Sequence, residues 1–247
     1  MFPASRRLAL VILLAAPVGA TAQQTAFARL SARLSEDAGV FHSDNLVSNE
    51  TAYLYVLDTF RALGLKGGAY LGVGPEQSFS YLAEIEPAIA FIIDIRRDNL
   101  LLHLLFKAMF AQARNRLEYL GLLYGRPMPA DLPMWTDLEL GALVDYLDRT
   151  AYDSTLHDRQ QRQLIKDVDK FGFQLSDEDR EVIRRFHDEF STAGLDLRYT
   201  TRMGPSRMSF PAIRQLYLAT DLNGNMGSFL AAEDRWRLGR CFPGFGL

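Results

Sequence analysis

Gly67-Gly-Ala-Tyr-Leu-Gly-Val-Gly-Pro-Glu-Gln-Ser-Phe-Ser-Tyr-Leu-Ala-Glu-Ile-Glu-Pro-Ala-Ile-Ala-Phe-Ile-Ile-Asp94 is the stretch on which the reading of the fold turns. An apolar run reaches Gly72-Val73-Gly74, a helical pattern follows from Pro75 to about Ile85, and a second apolar run, residues 88–93, closes on Asp94. Strand, glycine turn, helix and strand in that order predict a parallel βαβ unit. Glycines let such a turn approach a ligand, and the helix N-terminus behind it offers unpaired N–H groups. An acid at the tip of the second strand is placed to accept hydrogen bonds from a ribose. The dinucleotide fingerprint requires a third glycine, whereas Glu76, Gln77 and Ser78 follow Gly74 and Pro75, so a standard NAD site is disfavoured.

The same residues resemble the first motif of class I S-adenosylmethionine-dependent methyltransferases. That resemblance makes Gly72 and Gly74 the turn and Asp94 the ribose acceptor; Glu76 and Gln77 are further candidate cofactor-binding residues, and Arg96 or Arg97 either reaches a carboxylate or phosphate in the site or belongs to a solvated pair after the strand. The match is degenerate: Gly72 replaces the usual acid before the first glycine, and Glu76 and Ser78 replace later glycines. An ordinary βαβ unit with a Gly-Pro turn and a solvated strand-end Asp fits the same spacing. Upstream, Asp44, Asn45, Asn49 and Glu50 either cap the next helix or lie beside the ligand, as the roof of the pocket; Ser48 or Asn49 is the expected cap. His42 reads as a local hydrogen-bonding residue.

At 247 residues and 48% apolar content the chain suffices for one sizeable domain, and a formal charge of −3 argues neither for nucleic acid nor for an acidic membrane surface, so no nucleic-acid partner is expected. Residues 1–22 have the layout of a secretory signal peptide: Arg6-Arg7, an apolar run over residues 8–18, then small residues at Ala20-Thr21-Ala22. Export to the periplasm or the extracellular space is the expectation, with no membrane span in the mature chain. The single cysteine, Cys241, leaves no internal disulfide.

After Asp94, one apolar helix is expected over residues 100–123, buried on more than one side against a sheet. Residues 125–195 read as a helical insertion, with a near capping box at Ser176-Asp177-Glu178-Asp179. Residues 195–200 make a possible strand, and a weak one is placed near Leu216. Asp221-Leu-Asn-Gly-Asn-Met-Gly227 reads as a turn held by Asx side chains rather than a calcium loop, since Met226 stands where the sharp-turn glycine belongs. His157 and His187 have no ligand spacing, and no Ser-His-Asp, HExxH or P-loop pattern is legible.

The blocks FHSDNLVSNE, GGAYLGVGPEQSFSYLAEIEPAIAFIIDIRRDNLLLHLLFKAMF and YLATDLNGNMGSFLAAEDRWR, spanning most of residues 40–238, resemble a largely uncharacterised, sometimes exported bacterial family with a class I methyltransferase-like Rossmann domain. The resemblance implies an α/β Rossmann-like parallel sheet over residues 23–247, S-adenosylmethionine as cofactor, and a nucleoside-type small-molecule ligand. Members of that family continue after the equivalent of Arg237 with a strand-forming stretch, whereas here GRCFPGFGL follows, so the sheet is expected to be incomplete at its C-terminal end. Methyl transfer to an acceptor, a binder without turnover and a purely architectural βαβ unit are the three function classes left open.

Overall fold

The computed structural model describes residues 25–37, 39, 46–131, 135, 137–200 and 210–240. The βαβ unit forms as its pattern requires: β1 (Ala69–Val73), a turn at Gly74 with φ +84°, α3 (Gln77–Ile85) and β2 (Ile89–Ile93). The strands are parallel, in a register that sets Ala69 against Ile89 and Val73 against Ile93. Glu86, in the left-handed region at φ 51°, ends α3, and Pro87 follows it.

Around this unit the protein is helical. In chain order α1 (Ala26–Leu34) and α2 (Val56–Ala62) precede β1, and α4 (Arg97–Gln112), α5 (Arg116–Tyr124), α6 (Leu140–Arg149), α7 (Ser154–Asp169), α8 (Asp177–Ala193), α9 (Ile213–Tyr217) and α10 (Glu233–Arg240) follow β2. A 3₁₀ turn, Thr51–Leu54, leads into α2; its first flanking residue is Glu50, and no side chain caps it, so neither Ser48 nor Asn49 plays the capping part expected of them.

The Rossmann-like expectation is overturned here. Among the described residues the sheet has two strands, β1 and β2, and no more. The weak strand near Leu216 is helix α9, and residues 195–200 contribute one isolated bridge, Arg198 to Ala212. The physical reason lies in α4. Its Leu101, Leu102, Leu104, Leu105, Phe106, Ala108, Met109 and Phe110 are all buried, but against α5, α7 and α8 rather than beneath a sheet. The expected insertion thus supplies the helical layer that closes the core. The single long helix expected over residues 100–123 is two: Ala113 is extended, and Asn115 starts α5 by accepting the Glu118 N–H at 2.8 Å.

Phe79, fully buried on α3, is a hub of this core. Its ring meets Phe106, Phe110 and Phe229 edge-on at 5.1–5.5 Å, a geometry favoured by the aromatic quadrupole. One face of the sheet, Tyr70 and Ala90 included, turns inward. On the opposite face Phe91 stacks on Phe27 of α1 at 6.0 Å. Leu71, Val73 and Ile93, with Ile95 just beyond, stay more than half exposed. The Asx-held turn forms as read: Asp221 Oδ1 accepts the N–H groups of Asn223 and Asn225 at 3.0 and 2.9 Å. Among the described residues no helix is long and apolar enough to cross a membrane.

Candidate functional site

At the carboxyl ends of β1 and β2 the chain leaves a cleft of about 400 Å³. Its floor is Val73-Gly74-Pro75 and Gln77, the far side is Ile93-Asp94-Ile95, the roof is Val47-Ser48-Asn49, and Tyr199 completes it. Ligands of parallel α/β units bind at this end because strand-end side chains and helix N-terminal N–H groups converge there.

Gly74 is in a backbone region that costs an L side chain energy, which is why this position in the turn is a glycine. Two residues of α4 grip its carbonyl: His103 Nε2–H donates to it at 2.9 Å, and Asn99 Nδ2 lies at 3.4 Å. Burial lowers the His103 pKa to about 4, so the ring is neutral. On the second strand Asp94 Oδ1 accepts the Arg96 N–H at 2.8 Å, fixing the carboxylate at the strand tip.

Four of the eight residues singled out from the sequence, Asn49, Gly74, Gln77 and Asp94, line this one cleft. The other four do not. Gly72 is not part of the turn: it is paired with Ile92 inside β1, and its missing side chain makes room for the Tyr70 ring, which a Cβ would meet at 2.5 Å. Arg96 packs beside Asp94, its Nε 3.5 Å from Oδ1. Glu50 is exposed ahead of the 3₁₀ turn. Glu76 turns inward, and its Oε1 accepts the Ser48 N–H at 3.2 Å. His42, Asp44 and Asn45 lie outside the described residues. Val73, Ile93, Ile95 and Tyr199, the apolar walls, were not anticipated; in sequence they are ordinary strand and loop residues, and only the open sheet face makes them a surface.

The cleft lining has one carboxylate and no Lys or Arg among the described residues. Such a surface suits a neutral or cationic ligand with an apolar ring face and hydroxyl donors. A phosphate would meet Asp94, whose cation Arg96 is already paired with it outside the lining.

The fold also assembles a Ser-His-Asp set that sequence order conceals. Ser191 Oγ lies 2.9 Å from His157 Nδ1, and His157 Nε2 2.8 Å from Asp188 Oδ1. Asp188 and Ser191 are three apart on α8 and so share a face, while His157 comes from α7. Ser191 and His157 are buried at 1% and 2% exposure, so the hydroxyl cannot meet a substrate. With His187, whose Nε2–H donates to the Leu122 carbonyl at 2.8 Å, the set ties α7 and α8 to α5. Among the described residues no cluster of His, Cys, Asp or Glu is placed to hold a metal ion.

Residues 46–126 match a sequence family described as a domain of unknown function (DUF7790). The matched segment contains the roof, both strands and α3 to α5, and thus all of the cleft except Tyr199. No curated protein matches the chain.

Proposed function

We propose that the cleft binds a nucleoside-type small molecule, with S-adenosylmethionine the ligand to which the sequence resemblance points and methyl transfer to an acceptor the chemistry it serves. The observation that carries this reading is the meeting of Gly74 and Asp94 across one cleft at the carboxyl ends of two parallel strands. In it Asp94 accepts the ribose hydroxyls, the turn and the start of α3 receive polar atoms, and Val73, Ile93 and Tyr199 offer apolar area to the base. Methyl transfer depends mainly on positioning donor against nucleophile, so it needs little acid–base machinery. A binder without turnover is the alternative, favoured by a lining whose titratable side chains are Asp94 and Tyr199 alone among the described residues.

Calorimetric titration with S-adenosylmethionine, S-adenosylhomocysteine and ATP tests the reading. The first two should bind and ATP should bind more weakly, because the lining offers its phosphates no Lys or Arg among the described residues and the nearby Arg96 is paired with Asp94. Absence of heat with every adenosine compound would reject it. Methylated product from a candidate acceptor separates the enzyme from the binder.

A further inference from the structure

A second cavity, of about 130 Å³, lies where α5, α6, α8 and α9 meet, and it shares no lining residue with the cleft. Four charged side chains line it: Arg126 just past α5, Asp148 on α6, Asp196 in the 3₁₀ turn Gly194–Asp196, and Arg214 on α9. Two guanidiniums and two carboxylates cancel in formal charge, so a free anion or a free cation gains no net attraction there. Within that balance the charges are unevenly paired.

Arg214 is fully engaged with acid. Its Nη1 and Nη2 donate to the two Asp148 oxygens at 3.2 and 2.9 Å, and Nη2 also lies 3.2 Å from Asp196 Oδ1. Arg126, in contrast, makes no ion pair among the described residues. Its Nη1–H donates to the Tyr124 carbonyl at 2.9 Å, and its guanidinium carbon stands 5.7 Å from the centre of the Tyr152 ring. Its Nε is buried with no hydrogen-bond partner among the described residues. A guanidinium partly withdrawn from water with no anion opposite lacks the planar carboxylate that matches its fork. Asp196 has the complementary surplus: it shares its one cation with Asp148 and is 72% exposed, so it keeps acceptor capacity. The carbonyls that close α8 at Ala193 and Gly194 add negative partial charge to the lining beside it. Gly194, at φ +55°, brings bare backbone to this edge; a Cβ there would stand 3.5 Å from Arg126 Nη2 and crowd the guanidinium.

We propose that this cavity binds a small α-amino acid, its carboxylate on the Arg126 guanidinium and its ammonium on Asp196 and the carbonyls at the end of α8. Such a zwitterion is neutral overall, as the lining is, and carries the two charges that the lining leaves under-paired. Size sets the side chain. A volume of about 130 Å³ is room for about four waters at roughly 30 Å³ each, which admits glycine, alanine or serine and excludes long side chains. The proposal is independent of the reading of the cleft.

An amide NMR titration of the full chain with L-serine tests it. The Gly194 and Leu195 amides should shift saturably, and Gly74 in the cleft should not respond. Acetate, which lacks the ammonium, and methylamine, which lacks the carboxylate, should each bind about tenfold more weakly or worse, the ratio expected for losing one charge-assisted contact. Arg126→Gln should weaken L-serine by about tenfold or more. Asp196→Asn, at an exposed position, should weaken L-serine without weakening acetate. No saturable shift at Gly194 with L-serine, or a response at Gly74 in its place, overturns the site. Acetate binding as tightly as L-serine, or L-serine binding unchanged in Asp196→Asn, overturns the amino-acid assignment. If Arg126→Gln does not fold, the wild-type ligand series and Asp196→Asn decide by these same outcomes.

Discussion

Glu76 and Asp94 flank the same glycine turn in space, and the fold treats the two carboxyls in opposite ways. Asp94 lies at a strand tip in the cleft lining, and Asp94→Ala should weaken an adenosine-containing ligand by about 1.5–3 kcal/mol, the range for hydrogen bonds to a charged group. Calorimetry reads this, and equal binding by the variant would remove the ribose assignment. Glu76 instead affects stability. Its pKa is raised by burial from 4.5 to about 7, so between those values the native protein holds a proton that the unfolded chain has lost. Its contribution is therefore fully present below pH 4.5 and is lost as pH rises through 7, a decline on the order of 3 kcal/mol. Urea unfolding at pH 5 to 8 should show the stability of the wild type falling relative to that of Glu76→Gln as pH rises, the comparison cancelling the opposite contribution of His103 and His187, whose pKa values burial lowers to about 4 in both proteins. An identical slope in both would mean that the carboxyl titrates at its ordinary pKa. Both acids are visible in the sequence as neighbours of a glycine turn, but which one lines the cleft depends on where the roof segment packs, 28 residues upstream of Glu76.

Within single elements, the signals that match the structure are the short-range ones. Ser176 Oγ accepts the Asp179 N–H at 3.1 Å and Asp179 accepts the Ser176 N–H at 2.9 Å, the capping box expected from four consecutive residues. Ser176→Ala should cost about 1 kcal/mol, measurable as a lower melting temperature; no change would show that Arg97, which also grips Asp179 at 2.7 and 2.8 Å, holds the terminus by itself. The split between α4 and α5 carries a signal of the same kind. Asn115 with Glu118 three residues on is a helix start, and Glu118 returns the contact by accepting the Arg114 N–H at 2.8 Å. Continuous apolar content across residues 100–123 masks it, because hydropathy reports burial and is silent about a three-residue break in direction at residues 113–115.

For the whole molecule, burial separates two groups of apolar residues that look alike in sequence. Phe79→Ala, at the centre of the aromatic cluster, should cost about 3–5 kcal/mol in chemical denaturation. Leu71→Lys, on the open sheet face at 70% exposure, should change stability by less than about 0.5 kcal/mol; a large loss would mean that this face is covered in solution. Residues 1–22 lie outside the described residues, and their leader-like layout is a proposal that N-terminal sequencing of the protein from its native host tests, with a start at Gln23 as the expected result and an intact Met1 as the contrary one. By itself the sequence determined what depends on neighbours along the chain: the βαβ unit with its positive-φ Gly74, the Asx-held turn at Asp221 and the capped start of α8. The tertiary structure alone decided what covers α4, and with it the fold class. An apolar helix surface is satisfied equally by a sheet or by other helices, because hydrophobic burial has no direction, and here α5, α7 and α8 took the place that a wider sheet was expected to fill.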